Sequence, residues 1–382
     1  MIPFNRAYTT GREFAYISQA IANLHISGNG PYSERCAAWF QDRTGSAWAF
    51  LTPSGTAALE MAGVLAGFEP GDEVVMPSFT FVTTASSMAL RGAVPVFVDI
   101  RPDTLNLDEK QIEAAITPRT RAVVPVHYAG IGCEMDPILE LAREHGLMVI
   151  EDAAQGITSS YRRRELGSFG QLACISFHET KNVTCGEGGA VLVNDRELVE
   201  RAEVIQEKGT DRAKFLRGET DKYTWVGLGS SYLMSEINAA FLWAQLEMAD
   251  EITRARLSIW DRYHAAFAGL EEQGLLRRPV VPPDARHNAH MYYVLLPDRA
   301  RRDAVIRHLG EQGIQAVFHY VPLHSSPAGK RYGRADGPLP ITDDASARLV
   351  RLPLWVGMRD AEMEQVVTGV EEACQASMPA PS

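Results

Sequence analysis

The sequence contains few cysteines, and none of them are arranged in pairs. Five cysteines are scattered over 382 residues, and no two of them have CxxC spacing. An odd number without paired spacing predicts neither a disulfide framework nor a structural zinc site. We therefore expect a protein of the reducing cytoplasm, with no metal in its functional site.

Basic charge and long apolar runs are also scarce. Lysine and arginine number 37 against 48 acidic residues, so the formal net charge is -11. An acidic chain has little basic surface with which to bind nucleic acid or an anionic membrane. No apolar run approaches the roughly 20 residues that a membrane helix needs. We expect a soluble protein whose partners are small molecules, neither nucleic acid nor membrane.

The glycine fingerprints of the common nucleotide-binding folds are missing. No GxGxxG follows a strand-like run, and no GxxxxGK[ST] is present. The chain has instead the turn Ser54-Gly55-Thr56-Ala57-Ala58, which opens a helical pattern. Free backbone N–H groups and the positive end of a helix dipole suit a phosphate. By itself, however, Ser-Gly-Thr before a helix is equally typical of an ordinary N-cap.

The functional interpretation depends mainly on Lys181. It lies in the polar segment Ser176–Asn182, just before the glycine-rich residues 186–189. A lysine on such a turn can use its amine as a nucleophile. Upstream, Asp152 stands at the end of a strand-like run, in Glu151–Gln155. Taken singly, the lysine is typical of a solvated surface residue and the aspartate of a turn or cap.

Pyridoxal phosphate requires three groups together: a lysine, a carboxylate and a turn that can bind a phosphate. Its aldehyde needs a lysine for covalent attachment. Its ring nitrogen needs a facing carboxylate to stay protonated and accept electrons. We therefore predict this cofactor, with Lys181 and Asp152 as catalytic residues. Phe81, just past a strand end, is the candidate for stacking on the ring, although a core phenylalanine is the equal alternative.

Apolar runs alternate with helical patterns from about residue 50 to 194, which predicts an α/β fold with a mostly parallel sheet. The predicted strands are Glu73–Pro77, Val94–Ile100, Ala122–His127, Leu147–Glu151, Ala173–Phe177 and Ala190–Asn194, and the predicted helices are Thr56–Ala66, Thr80–Arg91, Asp136–His145 and Arg196–Lys208. A helical stretch from Ser235 towards Leu270 follows. The last third predicts a smaller α+β domain, with strands at Met291–Leu296 and Ala316–Tyr320 and helices at Ala304–Gln312 and Ala361–Gln375. The predicted domains are residues 1–250, with an N-terminal arm, and 251–382.

Two further segments contain candidates for substrate contact. The loop Gly209–Ser231 mixes cations with aromatic residues, which suits an anionic ligand, although a solvated surface loop fits equally well. The segment 319–324 ends a predicted strand with two histidines, and no third ligand is spaced to make a metal site. The substrate candidates are Arg217, Lys222, Tyr223, His319, Tyr320 and His324.

These motifs resemble those of the DegT/DnrJ/EryC1/StrS family of sugar aminotransferases, which are fold type I pyridoxal phosphate enzymes. The resemblance extends from residues 26–31 to residues 351–354. It rests on Pro53–Leu59, Pro77–Phe81, Glu151–Gln155 and Ser176–Asn182. Within the family, the chain looks most like the dTDP-4-amino-4,6-dideoxygalactose transaminase branch, on Val126–Gly130, Asp221–Trp225, Gly229–Ser235 and Asn288–Met291.

The resemblance implies a role for each matching residue. Lys181 would attach the cofactor, Asp152 would pair with its ring nitrogen, Phe81 would stack on the ring, Gln155 would approach its phenolic oxygen, and Gly55, Thr56, Ala57 and Ser176 would hold its phosphate. Much of the family has an asparagine at the position of Ser231 that reaches the neighbouring subunit's phosphate. The serine leaves that contact open in this chain.

The activity that the resemblance implies is amino transfer in deoxysugar biosynthesis. L-glutamate would donate its amino group to C4 of dTDP-4-keto-6-deoxy-D-glucose, giving a dTDP-4-amino-4,6-dideoxyhexose and 2-oxoglutarate. The enzyme would be a homodimer or a dimer of dimers. The family's sugar dehydratases lack the lysine, so Lys181 argues against that alternative. A catalytically silent scaffold is disfavoured by the intact set of Lys181, Asp152 and phosphate turn. The configuration at C4 and the pathway stay open.

Overall fold

A seven-stranded sheet forms the centre of the computed structural model, which describes residues 1–376. The strands are β1 (Trp48–Thr52), β2 (Glu73–Pro77), β3 (Val94–Val98), β4 (Thr120–Val123), β5 (Met148–Asp152), β6 (Ser160–Tyr161), β7 (Arg164–Glu165), β8 (Leu172–Ser176), β9 (Gly189–Val193), β10 (Ala285–Arg286), β11 (Tyr292–Leu295) and β12 (Leu349–Leu352). The central order is β1-β9-β8-β5-β4-β2-β3. Only β9 runs antiparallel to its neighbours in this sheet, so the predicted mostly parallel α/β fold is confirmed.

Helices cover the central sheet and build most of the C-terminal part. They are α1 (Glu13–Ala22), α2 (Pro31–Thr44), α3 (Gly55–Ala66), α4 (Val82–Ala89), α5 (Ile112–Ala115), α6 (Met135–His145), α7 (Val199–Gln206), α8 (Arg212–Leu216), α9 (Glu236–Leu246), α10 (Ala249–Ala266), α11 (Ala268–Glu272), α12 (Arg299–Glu311), α13 (Pro327–Tyr332), α14 (Pro340–Arg348) and α15 (Asp360–Ala376), with 3-10 turns at Glu109–Gln111, Tyr128–Gly130 and Arg196–Leu198. Every residue of β2, β8 and β9 is buried, as expected of strands with helices on both faces.

Several of the predicted elements differ in extent or type, and β1 is not among the predicted strands. The strand predicted at Ala122–His127 is β4, which ends at Val123. The helical stretch from Ser235 is three helices rather than one, because Met248 and Phe267 leave helical geometry between them. The predicted strand at Ala316–Tyr320 is a single bridge, from Val317 to β12. Phe318 is exposed, so the apolar pattern there does not mark a buried strand face.

The C-terminal part has a core of its own. A cluster that includes Trp260, Tyr292 and Trp355 fills the space between α10, the β11–β12 pair and the C-terminal helices. Ile2 belongs to the same cluster and bridges to Ile314, so the first residues pack on the C-terminal part. The division of the chain into two domains near residue 250 stays a prediction. The N-terminal arm belongs to the first of these domains in sequence, but its first residues pack on the second.

Three further properties concern the described residues 1–376. None of their helices is both long and apolar enough to cross a membrane. All five cysteines are free and buried. No cluster of three or more histidine, cysteine or acidic side chains within this range is arranged to hold a metal ion.

Candidate active site

A cavity of about 790 Å³ opens where the parallel strands end. The segments that follow β1, β2, β4, β5 and β8 all contribute to its wall, because the carboxyl ends of parallel strands meet at one edge of the sheet. The C-terminal part supplies the opposite wall, and the N-terminal residues Phe4 and Asn5 complete it. The cavity therefore lies between the two parts of the chain.

At one end of the cavity, α3 begins. Ser54 caps this helix, and its hydroxyl accepts a hydrogen bond from the Ala57 N–H at 3.0 Å. A Cβ atom on Gly55 would lie 2.7 Å from the Ser176 Cβ, so only glycine lets the helix start pack against the end of β8. Within the described chain, the N–H groups of Gly55 and Thr56 have no acceptor. Two free donors thus face the cavity, while Ala57 is committed to its cap.

Asp152 is the buried carboxylate of the cavity. It is 5% exposed and lies at the end of β5. The Thr84 hydroxyl donates to its Oδ2 at 2.7 Å, and the Ala154 N–H donates to its Oδ1 at 3.2 Å. Thr84 is itself hydrogen-bonded to Thr80 at 2.8 Å. These contacts fix the orientation of the carboxylate.

The neighbouring Glu151 makes the end of β5 rigid rather than reactive. Its buried carboxylate accepts hydrogen bonds from the N–H groups of Gly167, Phe169 and Gly170. His127 Nε2 lies 2.9 Å from the same carboxylate. His127 Nδ1 accepts from a backbone N–H, so the proton on the ring belongs to Nε2. Because Glu151 precedes Asp152 in the chain, these hydrogen bonds also fix the backbone position of Asp152.

Lys181 lies half-buried in the turn that follows β8, where its N–H donates to the His178 carbonyl at 2.8 Å. Burial lowers the pKa of Lys181 to about 8, while attraction by Asp152 acts in the opposite direction. The positive charge of Arg351 lowers it further. An amine with this pKa loses its proton far more readily than a surface lysine, as a nucleophile or base requires.

Gln155, His319 and Tyr320 form a hydrogen-bonded wall of the cavity. The Gln155 side chain accepts from the Ala129 N–H at 2.7 Å and donates to the Tyr320 hydroxyl at 3.1 Å. His319 stacks on Tyr320, and its Nδ1 lies 2.9 Å from the Tyr128 hydroxyl. Burial lowers the pKa of His319 well below its usual value, so the ring is neutral. Three sequence candidates therefore meet in one network.

Phe81 also lines the cavity, at the N-cap of α4. Its ring is 56% exposed and lies 6.4 Å from the Tyr320 ring. The alternative that Phe81 belongs to the core is therefore wrong. An exposed aromatic face beside Asp152 and Lys181 is what stacking on a flat ring requires.

The other substrate candidates do not reach the cavity of their own chain. Arg217 donates to Glu203 and Glu219, each at 2.7 Å, on the surface of the loop. Among the described residues that line the cavity there is no Lys222, Tyr223 or Ser231. The contact of this loop with a partner subunit stays a prediction.

His324 likewise lies outside the cavity wall that the described chain forms. Its Nδ1 is 2.8 Å from the Ser78 hydroxyl, and its N–H donates to the same oxygen at 3.0 Å. Its Nε2 lies 3.5 Å from the Asp343 carboxylate. These contacts tie the loop after Tyr320 to the end of β2, which is a structural use of the side chain.

Several cavity residues are not among the sequence candidates, and three of them carry ionisable side chains next to Lys181 or the C-terminal wall: Arg256, His290 and Arg351. His290 Nδ1 lies 3.1 Å from the Asn182 side chain, next to Lys181. Its pKa is lowered well below the usual value, chiefly by burial and then by the charges of Lys181, Arg256 and Arg351. His290 lies in the family string Asn288–Met291, which could have identified it. Arg351 lies in the segment 351–354 that ends the family resemblance, whereas nothing in its local sequence distinguishes Arg256.

These residues fit pyridoxal phosphate. Two free backbone donors stand beside Ser176 where a phosphate would lie, and no Cβ occupies that space at Gly55. Asp152 is a buried, oriented carboxylate, and Lys181 is an amine of lowered pKa. The fold and this cavity define a pyridoxal phosphate-dependent enzyme of amino-group transfer.

Comparison with known proteins identifies the family. The sequence profile of the DegT/DnrJ/EryC1/StrS aminotransferase family matches residues 8–371, and the chain belongs to this family. It is 36% identical over 366 residues to a GDP-perosamine synthase of Caulobacter vibrioides, covering 95% of each chain. It is 33% identical over 379 residues to the spore coat polysaccharide biosynthesis protein SpsC of Bacillus subtilis, covering 97% of this chain and 96% of the relative.

Solved structures agree with this assignment. The aminotransferase TlmJ of Streptoalloteichus hindustanus is 31% identical and superposes with a TM-score of 0.89, covering 98% of this chain and 99% of its own. DesV of S. venezuelae is 32% identical with a TM-score of 0.88, covering 98% of both chains. The predicted family, fold class, aminotransferase activity and pyridoxal phosphate cofactor are thereby confirmed.

Proposed function

We propose that this sugar aminotransferase moves the amino group of L-glutamate to C4 of dTDP-4-keto-6-deoxy-D-glucose. The products would be 2-oxoglutarate and a dTDP-4-amino-4,6-dideoxyhexose. The observation that carries the catalytic part is one cavity in which Lys181, Asp152 and the start of α3 stand together. The choice of acceptor is supported by the strings shared with the dTDP-sugar transaminase branch, such as Val126–Gly130 and Asn288–Met291.

In this proposal Lys181 moves the proton. Its lowered pKa would let the free amine take the proton from Cα of the amino donor and hold it for the next step. The bound cofactor supplies an electron sink for the electron pair that the departing proton leaves behind. Asp152 would face the ring nitrogen of the cofactor and keep it protonated, and the Thr84 hydroxyl fixes the orientation of the carboxylate. The same side chains act in reverse order when the keto sugar accepts the amine.

A GDP-linked sugar is a second candidate acceptor. The observation that favours it is the 36% identity with the GDP-perosamine synthase over 95% of this chain. The two candidates differ in the base and in the shape of the sugar, whereas the cavity residues that we assign to amino transfer would serve either. A direct assay with both nucleotide sugars is therefore needed to identify the acceptor.

The assay presents the holoenzyme with L-glutamate and, in parallel, with dTDP- and GDP-linked 4-keto-6-deoxyhexoses. We expect 2-oxoglutarate and an aminated dTDP-sugar, whose C4 configuration is assigned by NMR. Lys181→Ala is the control and should give neither product. Faster turnover of the GDP-linked sugar would replace the dTDP acceptor with the second candidate. Product that lacks nitrogen would instead indicate the dehydratase alternative.

We also propose that the working enzyme is a homodimer, or a dimer of dimers, in the cytoplasm. The loop that contains Tyr223 and Trp225 would close the partner's cavity. In a single chain Trp225 is 76% exposed and Phe81 is 56% exposed, which supports a further surface covering them. Light scattering at assay concentration tests this, and a fully active monomer would contradict it.

A further inference from the structure

His290 stands in the cavity wall on a segment of backbone that is held from several sides. Its N–H donates to the Asn288 side-chain oxygen at 2.9 Å, and Arg256 donates to the carbonyls of Ala289 and His290 at 3.0 and 2.8 Å. The Asn288 amide in turn donates to two backbone carbonyls of the segment that follows β5, at 2.8 and 2.7 Å. These hydrogen bonds also maintain the left-handed φ of 50° at Ala289. The backbone that carries the imidazole is therefore fixed.

The hydrogen bonds of Asn182 decide which nitrogen of His290 carries the proton. The Asn182 amide nitrogen donates to the Asn288 carbonyl at 2.8 Å, so the Asn182 Oδ1 is the atom that faces His290. His290 Nδ1 lies 3.1 Å from that oxygen. An amide oxygen only accepts, so Nδ1 is the donor. Burial lowers the pKa of His290 well below its usual value, so the ring is neutral and Nε2 carries a free lone pair.

His290 Nε2 is a hydrogen-bond acceptor without a donor. Among the described residues 1–376 no donor bonds to it, and it is not one of the unpartnered atoms that are sealed inside the protein. Because His290 lines the cavity, the free nitrogen opens into it. After burial, the charge of Lys181 is the next cause of the lowered pKa of His290, and Asn182 follows Lys181 directly in the chain. The acceptor therefore lies close to the reacting amine.

The two substrates of amino transfer differ in what they can offer to such an acceptor. Once the cofactor has engaged the amine of glutamate, the remaining polar groups are two carboxylates, which accept hydrogen bonds and donate none. A 4-keto-6-deoxyhexose has hydroxyl groups at C2 and C3, and each of them can donate. Lys181 acts at the reacting carbon, which is C4 in the sugar. The donor group on a carbon next to C4 is the 3-hydroxyl.

We propose that His290 Nε2 accepts a hydrogen bond from the 3-hydroxyl of the keto sugar, an inference that rests on the proposed amino transfer. The contact would orient C4 of the sugar towards Lys181 and would have no counterpart in the donor half reaction. His290 would thereby select sugars with a hydroxyl at C3. A sugar without that hydroxyl would bury the lone pair of Nε2 without a donor, which is costly.

Two substitutions separate the roles of the two ring nitrogens. In His290→Asn the amide nitrogen takes the place of Nδ1, so the donor to Asn182 is retained and the acceptor at Nε2 is lost. In His290→Gln the longer side chain brings its amide oxygen near the position of Nε2, so an acceptor is restored. His145→Asn, at an exposed histidine that ends α6, is the matched control.

Stopped-flow absorbance follows the two half reactions of the holoenzyme separately. The donor half reaction is measured with L-glutamate. The acceptor half reaction starts from the pyridoxamine phosphate form and is measured with dTDP- and GDP-linked 4-keto-6-deoxyhexoses. Each sugar is supplied with the 3-hydroxyl and as the 3-deoxy analogue, so that the group on the protein and the group on the sugar are removed singly and together.

We expect His290→Asn to lose about 10- to 100-fold in the efficiency of the acceptor half reaction with the sugar that carries the 3-hydroxyl. The wild type should lose a similar factor with the 3-deoxy analogue, and His290→Asn should cause little further loss with that analogue. His290→Gln should recover part of the loss. The donor half reaction and the cofactor absorbance of His290→Asn should stay at wild-type values, as should both half reactions of His145→Asn.

Three results would overturn the inference. An unchanged acceptor half reaction in His290→Asn would show that Nε2 does not touch the sugar. An equal loss with and without the 3-hydroxyl would move the contact to another group of the sugar, and damage to both half reactions would assign His290 to Lys181 or the cofactor. These outcomes leave the proposed amino transfer intact. A wild type that aminates neither keto sugar would instead refute the proposed function, and the inference with it.

Discussion

Replacing Lys181 with methionine tests both the reaction and the physical state of the amine. Methionine is unbranched and apolar, so it fills much of the space of a half-buried lysine without its charge. The variant should retain the fold and lose turnover, because no other described side chain of the cavity wall is an amine. Activity near the wild-type rate would refute the assignment of Lys181 as the base and the attachment point.

The same variant has a measurable effect on stability in the cofactor-free protein. Burial lowers the pKa of Lys181 from 10.5 to about 8. Between these values the unfolded chain holds a proton at this lysine that the folded chain has lost. Unfolding then takes up a proton, so the wild type becomes more stable as pH rises from about 8 to 10.5. Methionine does not bind a proton in this pH range, so the variant lacks this gain in stability.

The size of the effect follows from the shift. A difference of about 2.5 pKa units corresponds to at most about 3 kcal/mol, and solvent reaching the half-buried side chain reduces it. Denaturant unfolding of both cofactor-free proteins at several pH values measures it. We expect the wild type to gain stability relative to Lys181→Met across this window and to be constant relative to it below pH 8. Lys110→Met, at an exposed lysine, is the control. A stability difference that does not change with pH would refute the lowered pKa.

Three further changes probe the buried carboxylate of the cavity and the basic loop outside it. Asp152→Asn should retain the cofactor by absorbance yet lose roughly two or more orders of magnitude in single-turnover rate, because a neutral partner does not hold the ring nitrogen protonated; a rate near wild type would mean that another acid serves. Thr84→Val removes the 2.7 Å hydrogen bond to Asp152, and we expect a smaller loss, about 10-fold or more, with no loss at all contradicting an orienting role. Charge reversal at Arg217 or Lys222 should raise the KM of the nucleotide sugar, more so at low salt, and leave the half reaction with glutamate unchanged. Lys222 is the cleaner site, since it has no carboxylate partner in the described chain while Arg217 has two. Equal damage to both half reactions would assign the loop to the cofactor or the dimer.

The basic loop Gly209–Ser231 shows that a local sequence pattern can suggest a ligand site where the fold forms ion pairs instead. The interleaved cations of Gly209–Ser231 predict an anion site in an acidic protein. In the fold most of them pair with acidic side chains: Arg212 with Glu207, and Arg217 with Glu203 and Glu219. Those acids belong in part to α7, which precedes the loop. A count of cations in sequence order does not include the carboxylates that folding brings beside them.

Those parts of the site that depend on short segments can be predicted from the amino-acid sequence alone. A glycine turn before a helix, an aspartate at a strand end and a lysine on a polar turn each follow a buried strand, and parallel strands bring their carboxyl ends to one edge. For that reason Gly55, Asp152 and Lys181 could be placed around one cavity before the fold was known. Five of the six strands predicted for the seven-stranded sheet match its strands closely for the same reason, since apolar β-branched runs specify strands locally, whereas β1 is not predicted.

Features that depend on residues far apart in the chain follow from the packed fold. The direction of β9 follows from its pairing with both β1 and β8, which no local pattern records. Arg351 reaches the cavity wall because its strand meets Val317 and its guanidinium lies over the Phe4 ring. Burial and contacts of this kind are properties of the packed structure, because both depend on what the rest of the chain leaves around a side chain.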